Sequence, residues 1–172
     1  KIFADIDVFN IEINETDPDK FIEIVKALEP TFGGINLEDI KAPECFYIEQ
    51  QLREKMNIPV MHDDQHGTAI ISSAALLNAL ELQKKRIDKA KFVVNGAGAA
   101  AMACIKLYVA LGARYENFIL FDKDGVLHTE RTDLGEDRKP FAIKQSNMTL
   151  EQAMKSADVF LGLSVGNVVT PE

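Results

Sequence analysis

The sequence predicts an α/β protein, with parallel sheets flanked by helices. Three observations carry this: short β-branched or aromatic runs recur along the chain, apolar segments at helical spacing separate them, and the connections are short. In order, Ile6, Val8, Ile11 and Ile13 alternate with polar residues, which predicts a strand. Asp17 can cap a helix and Pro18 suits its first turn; Phe21, Ile24, Val25 and Leu28 then recur on one helical face until Pro30 stops it. Phe32–Leu37 predicts a short buried strand after a Gly33-Gly34 turn, with Glu38 and Asp39 at its C-terminal end. Pro43 opens a second helix whose inward positions are Phe46, Ile48, Leu52 and Met56. Ile58–Met61 reads as a strand that runs into the polar cluster His62–Thr68. Ala69–Leu82 is almost entirely apolar or small, predicting a helix buried over most of its surface. The charged connector Lys84–Lys89, a candidate domain boundary by composition, leads to the strand Phe92–Val94, the helix Ala99–Leu111 and the strand Phe118–Phe121. A polar excursion, Lys123–Asn147, precedes a helix at Leu150–Lys155 and a strand at Val159–Leu161.

Composition narrows the function. The chain has 27 acidic against 19 basic residues and a net charge of -8, which argues against nucleic-acid binding. No apolar run reaches the roughly 18 residues of a membrane span, and no signal peptide is visible. Cys45 and Cys104 are far apart in unrelated contexts, the usage of a reduced, cytoplasmic protein. Lys1 opens directly into sequence that reads as structure from Ile2 to Ile13, and Glu172 closes just past an apolar run. Natural ends usually taper into polar sequence, so the chain is expected to be cut at both ends.

The segment Lys91–Ala101 holds a G-x-G-x-x-A fingerprint between a predicted strand and a predicted apolar helix. Gly96 permits the tight turn, Gly98 lets backbone approach a pyrophosphate, and Ala97 lies between them. The small Ala101 lets helix and strand come close. The free N–H groups and partial positive charge of the helix N-terminus would face the phosphates. Asp122 follows the next strand, 26 positions after Gly96, where a carboxylate can accept hydrogen bonds from adenosine ribose hydroxyls. The alternative is a Gly-rich turn used only for packing, with Asp122 an ordinary strand-end residue. Asp122 favours NAD because it repels a 2′-phosphate, while Lys123 and Arg131 are nearby cations that soften this and leave the choice between NAD and NADP open.

Glu38-Asp39 and Asp63-Asp64 are acidic pairs that each follow a short predicted strand, where ligands collect in α/β sheets. Oxygen donors in this number suit Mg²⁺ or Mn²⁺; the alternative is solvated loop acids. His62 and His66 invite a zinc or iron reading, but their spacing aligns both rings only on a helix, and the strand-like run through Pro59 argues against helix at His62. Structural or supporting roles suit them better, and His128 reads as a solvated loop residue.

With these motifs in view, Phe3–Ile13, Leu28–Cys45 and Ile58–Ala69 closely resemble bacterial malic enzymes, and the resemblance continues through Val94–Ala100 and Ala157–Gly162. It is closest to the large bacterial type that usually prefers NADP and often carries a phosphotransacetylase-like extension. The resemblance implies metal ligands at Glu38, Asp39 and Asp64, with Asp63 beside the metal as the one candidate catalytic residue. Thr68 and Ser164 fall in segments that line the cofactor cleft of that family. It further implies two domains: residues 1–66 close a malate- and metal-binding domain, and residues 67–172 open a Rossmann-like NAD(P)-binding domain. The implied reaction is oxidative decarboxylation of L-malate to pyruvate and CO₂, in which metal Lewis acidity serves both hydride loss and decarboxylation and a general acid protonates the enolate. The family's catalytic lysine and tyrosine motifs fall before Lys1 and its later asparagine motif after Glu172, so these 172 residues are expected to carry most of the metal and cofactor sites without turnover. A cytoplasmic homo-oligomer is the family's ordinary state. The competing readings are a metal-independent dehydrogenase of the amino-acid-dehydrogenase kind, which would need the fingerprint but not the acidic pairs, and a non-catalytic dinucleotide-binding module.

Overall fold

A computed structural model describes residues 4–169. The chain divides into two units, Lys1–Met61 and His62–Glu172.

In the first unit, residues 6–13 form no strand, contrary to the alternation, and the opening at Ile2 and Phe3 lies outside the described residues. Ile6, Val8, Phe9 and Ile11 are exposed. Alternation makes a strand only when a neighbour takes its backbone N–H and C=O groups, and no described strand pairs with this segment. Helix α1 (Pro18–Ala27) starts where expected, because the Asp17 carboxylate accepts from the amides of Asp19 and Lys20. Its buried face is Ile22 and Val25, while Ile24 is exposed. These pack with Leu37 of β1 (Ile35–Leu37), with Ile48 and Leu52 of α2 (Glu44–Lys55), and with Met56 and Val60. Helix α2 buries Cys45, Ile48, Glu49 and Leu52, but Phe46 points outward instead of inward. Strand β2 (Val60–His62) pairs with β1 in a two-stranded sheet.

The second unit is built on a four-stranded sheet in the order β5-β4-β3-β6. Strand β3 (Phe92–Asn95) lies between β4 (Phe118–Asp122) and β6 (Val159–Gly162), parallel to both, with Phe92 opposite Phe118 and Val159. All four residues of β3 are buried, as suits a parallel strand covered on both faces. On one face Phe92, Val94 and Leu120 meet Leu76 and Leu80 of α3 (Asp63–Leu82) and Ala101, Ile105 and Tyr108 of α4 (Ala99–Ala110). On the other, Val93 and Phe121 pack with Ala153 of α5 (Leu150–Met154), which Thr149 and Gln152 cap reciprocally. Each large apolar side chain so buried contributes roughly 1.5–3 kcal/mol.

Four expectations need correction here. Helix α3 begins at Asp63, not Ala69: its first turn takes Asp63 and Asp64, where the helix dipole favours carboxylates. It also buries one stripe only (Gln65, Ala69, Ser73, Leu76, Leu80), leaving Ile70, Ile71, Leu77 and Leu82 exposed. The excursion after β4 is not a solvated loop. It forms the antiparallel edge strand β5 (Gly125–Val126), and Leu127, Leu134 and Phe141 enter the core, where Phe141 meets the rings of Tyr115 and Phe118. His128 bridges to Ile143 and is mostly covered rather than solvated. Among the described residues, no helix is long and apolar enough to cross a membrane.

Candidate functional site

At the C-terminal end of β3 the chain must turn and start a helix within three residues, Gly96, Ala97 and Gly98. Gly96 does this with φ +102°, a left-handed conformation that favours glycine, and its amide donates to the Phe121 carbonyl at 2.8 Å. A Cβ on Gly96 would lie 2.5 Å from the Leu163 carbonyl oxygen, so the turn after β6 packs directly on it. Two bonds tie these turns together. The Leu163 amide donates to the Asn95 carbonyl at 2.9 Å, and Asn95 Nδ2 donates to Ser164 Oγ at 2.8 Å. Ala97 is buried, and Gly98 is the N-cap of α4 with no side-chain cap bond. A Cβ on Gly98 would meet nothing within 4 Å, so the space above the first N–H groups of α4 is open. Ala101 is fully buried in the core that α4 shares with the sheet.

Asp122 ends β4, beside that turn in the sheet register, in which Asn95 pairs with Phe121. It does not stand alone. Arg131 NH1 and NH2 donate to its two carboxylate oxygens, each at 2.8 Å, and the Asp124 amide donates to Oδ1 at 2.9 Å. On the far side Arg131 Nε donates to Asp133 Oδ1 at 2.9 Å and NH2 reaches Asp133 Oδ2. The Arg131 side chain is only 9% exposed, so the guanidinium is a fixed part of the fold. Burial pushes the Asp122 carboxyl up, but the Arg131 bonds, the Asp124 amide and the Arg131 charge outweigh it and hold it below the ordinary carboxylate range. The Arg131 bonds bring Asp133 down to about 2, and the bonds to Asp133 and then Asp122 raise Arg131 further above its already high value. Lys123 points to solvent, against Asp124. Asp122, Asp124 and Asp133 have carboxylate oxygens within 4.8 Å of one another, a spacing a cation could bridge. That cation is already Arg131, whose bonds run to Asp122 and Asp133.

The remaining acids fall in both units. Glu38 and Asp39 follow β1 in the first: Glu38 Oε1 accepts from Asn36 Nδ2 at 2.9 Å, and Asp39 adopts φ 55°, a conformation Asp tolerates better than most residues. In the second, Asp63 and Asp64 form the first turn of α3, and the Asp64 side chain is 56% exposed. Asp63 folds back along the helix over Gly67, where a Cβ would lie 2.1 Å from Asp63 Oδ1. Thr68 follows in the same helix, partly buried. His62 precedes the helix and is 1% exposed, with Nε2 3.8 Å from Asp64 Oδ2, too far for a hydrogen bond. His66 lies inside the helix, so the two rings do not share a helical face. The sheet of the second unit thus gathers Gly96, Ala97, Gly98, Asp122 and Ser164 at one end. Sequence reasoning missed Asn95 and Asp133. A polar residue closing an apolar strand, and an acid two positions from Arg131, were the available signals.

Residues 65–169 match the family model described as malic enzyme, NAD binding domain, and residues 8–53 match the malic enzyme N-terminal domain. The chain belongs to the malic enzyme family. Over its whole length it is 58% identical to the NADP-dependent malic enzyme of Escherichia coli and 56% identical to the NAD-dependent malic enzyme of Rhizobium meliloti, covering 23% and 22% of those proteins. The solved NAD-dependent malic enzyme of Thermotoga maritima superposes with a TM-score of 0.88 at 48% identity, over 99% of this chain and 46% of that one. The chain therefore spans less than half the length of these malic enzymes.

Proposed function

We propose that the chain is part of a cytoplasmic, homo-oligomeric malic enzyme that oxidatively decarboxylates L-malate to pyruvate and CO₂, reduces NAD⁺ or NADP⁺, and depends on Mg²⁺ or Mn²⁺. The observation that carries this is the match along the entire chain to NADP- and NAD-dependent malic enzymes at more than half identity. In this reading residues 1–66 close the malate- and metal-binding domain and residues 67–172 open the dinucleotide-binding domain. The second unit fits a dinucleotide: the open space over Gly98 and the uncapped start of α4 suit a pyrophosphate, and a carboxylate closes the neighbouring strand. Gly96, Ala97, Gly98 and Ala101 form the phosphate turn, Asp122 meets the adenosine ribose, and Thr68 and Ser164 line the cleft. Glu38, Asp39 and Asp64 hold the metal, whose oxygen-donor preference their carboxylates match. A bound divalent ion supplies Lewis acidity toward the hydroxyl and carboxylate of malate. Asp63, fixed in the first turn of α3, keeps a carboxylate beside that centre.

The test is malate-dependent reduction of NAD⁺ and NADP⁺, followed in parallel with Mn²⁺ on the protein with its natural ends. Reduction accompanied by pyruvate is expected. Cofactor binding without any reduction of either dinucleotide by malate would overturn the reading and leave a binding module.

A further inference from the structure

The geometry points to Arg131 as the positioning residue that sets the balance between NAD and NADP, acting through Asp122. This rests on the dinucleotide reading above. A carboxylate at the end of the second strand of such a domain welcomes the ribose hydroxyls of NAD and repels the 2′-phosphate of NADP. In this chain the carboxylate is not bare. Both Asp122 oxygens take an N–H from Arg131, at 2.8 Å each, in the planar two-point geometry that a guanidinium matches best. The pair is nearly neutral, so the penalty on a 2′-phosphate is reduced without removing the carboxylate that NAD uses.

Asp133 is the counterweight. It holds Nε and NH2 of Arg131 from the other side, so four of the five guanidinium N–H groups are engaged and one on NH1 remains. Asp133 also returns negative charge to the site. With Asp122, Asp124 and Asp133 against Arg131 and Lys123, the cluster carries a net charge of about -1. The two ends of the clamp therefore pull selectivity in opposite directions. Losing Arg131 bares the Asp122 and Asp133 carboxylates, and losing the Asp133 charge frees guanidinium donors for a phosphate.

Calorimetric dissociation constants for NAD⁺ and NADP⁺ on the full-length protein, with a thermal midpoint for each variant, test this. Arg131→Gln should weaken NADP⁺ by about tenfold or more while NAD⁺ stays within about threefold. Asp133→Asn, at an exposed side chain, should move the ratio the other way, favouring NADP⁺ by about threefold or more. Equal changes for both dinucleotides, or an unchanged ratio in Asp133→Asn, would overturn the proposal and leave Arg131 a stabilising residue of the fold. If Arg131→Gln does not fold, the Asp133→Asn ratio decides alone. A wild-type protein that binds neither dinucleotide would instead overturn the dinucleotide reading itself.

Discussion

At two glycines of this chain an added Cβ would have no room. At Gly96 both the left-handed φ and the Leu163 carbonyl, 2.5 Å from a would-be Cβ, exclude a side chain. Gly96→Ala should cost about 2–4 kcal/mol, from a strained φ and a backbone clash that no rotamer relieves. Chemical denaturation would show it as a lower midpoint with an unchanged slope. Gly67 lies inside helix α3, where glycine is worse than alanine by roughly 0.5–1 kcal/mol. Its compensation is space for Asp63, whose Oδ1 would sit 2.1 Å from an added Cβ. Gly67→Ala should therefore leave the thermal midpoint unchanged or raised, yet force Asp63 into another rotamer. On the proposed reading, malate turnover of the full protein then falls by about tenfold, the scale of a displaced active-site group. Full turnover in Gly67→Ala would mean that the place of Asp63 does not matter to the reaction.

The elements most legible in the sequence were those whose apolar pattern matched how they are buried. Strands β3 and β4 read as short apolar runs because both of their faces are covered, and α4 could be placed to a residue because Gly98 and Leu111 bound its apolar stretch. Three elements misled. Ile6–Ile13 has the pattern of a strand but no described partner, and pattern does not encode a partner. The start of α3 was hidden by Asp63, Asp64, Gln65 and Gly67, residues of loop-like composition that a helix N-terminus accepts for electrostatic reasons. The excursion after β4 reads as polar because its few buried residues (Leu127, Leu134, Phe141) are spread thinly, while Arg131 organises it through direct ion pairs to Asp122 and Asp133. That organisation has a pH signature. Asp122 and Asp133 are held below their ordinary values, so the folded state binds their protons less readily than the unfolded chain. Their contribution is full above the ordinary carboxylate range near 4 and drains as pH falls toward about 2. Hydrogen exchange at the Leu127 and Ile143 amides, which bond to Leu120 and Leu127, should speed up across that window before the amides of β3 do. Arg131→Gln should abolish the difference.

At the scale of the molecule, the dinucleotide turn is held within one unit, and Asp64, one of the acids proposed for the metal, opens a helix of that same unit. The turn alone is common to many dehydrogenases, so the acids are what separate a malic enzyme from a metal-independent relative. Asp64→Asn in the full protein is the sharpest discriminator. The amide keeps the shape and its place in the first turn of α3, but removes a charged oxygen donor that Mg²⁺ and Mn²⁺ prefer. A metal-dependent reaction should lose about 10²-fold or more in kcat/KM, with Mn²⁺ affinity falling alongside and NAD(P)⁺ affinity holding within about threefold. Electron paramagnetic resonance of bound Mn²⁺ and cofactor calorimetry separate the two quantities. Undiminished turnover in Asp64→Asn, unaffected by chelation of divalent ions, would place the acids outside the chemistry and return the dinucleotide unit to the metal-independent class. Loss of Mn²⁺ binding and of turnover together, with the dinucleotide still bound, ties the first-turn carboxylate of α3 to the reaction.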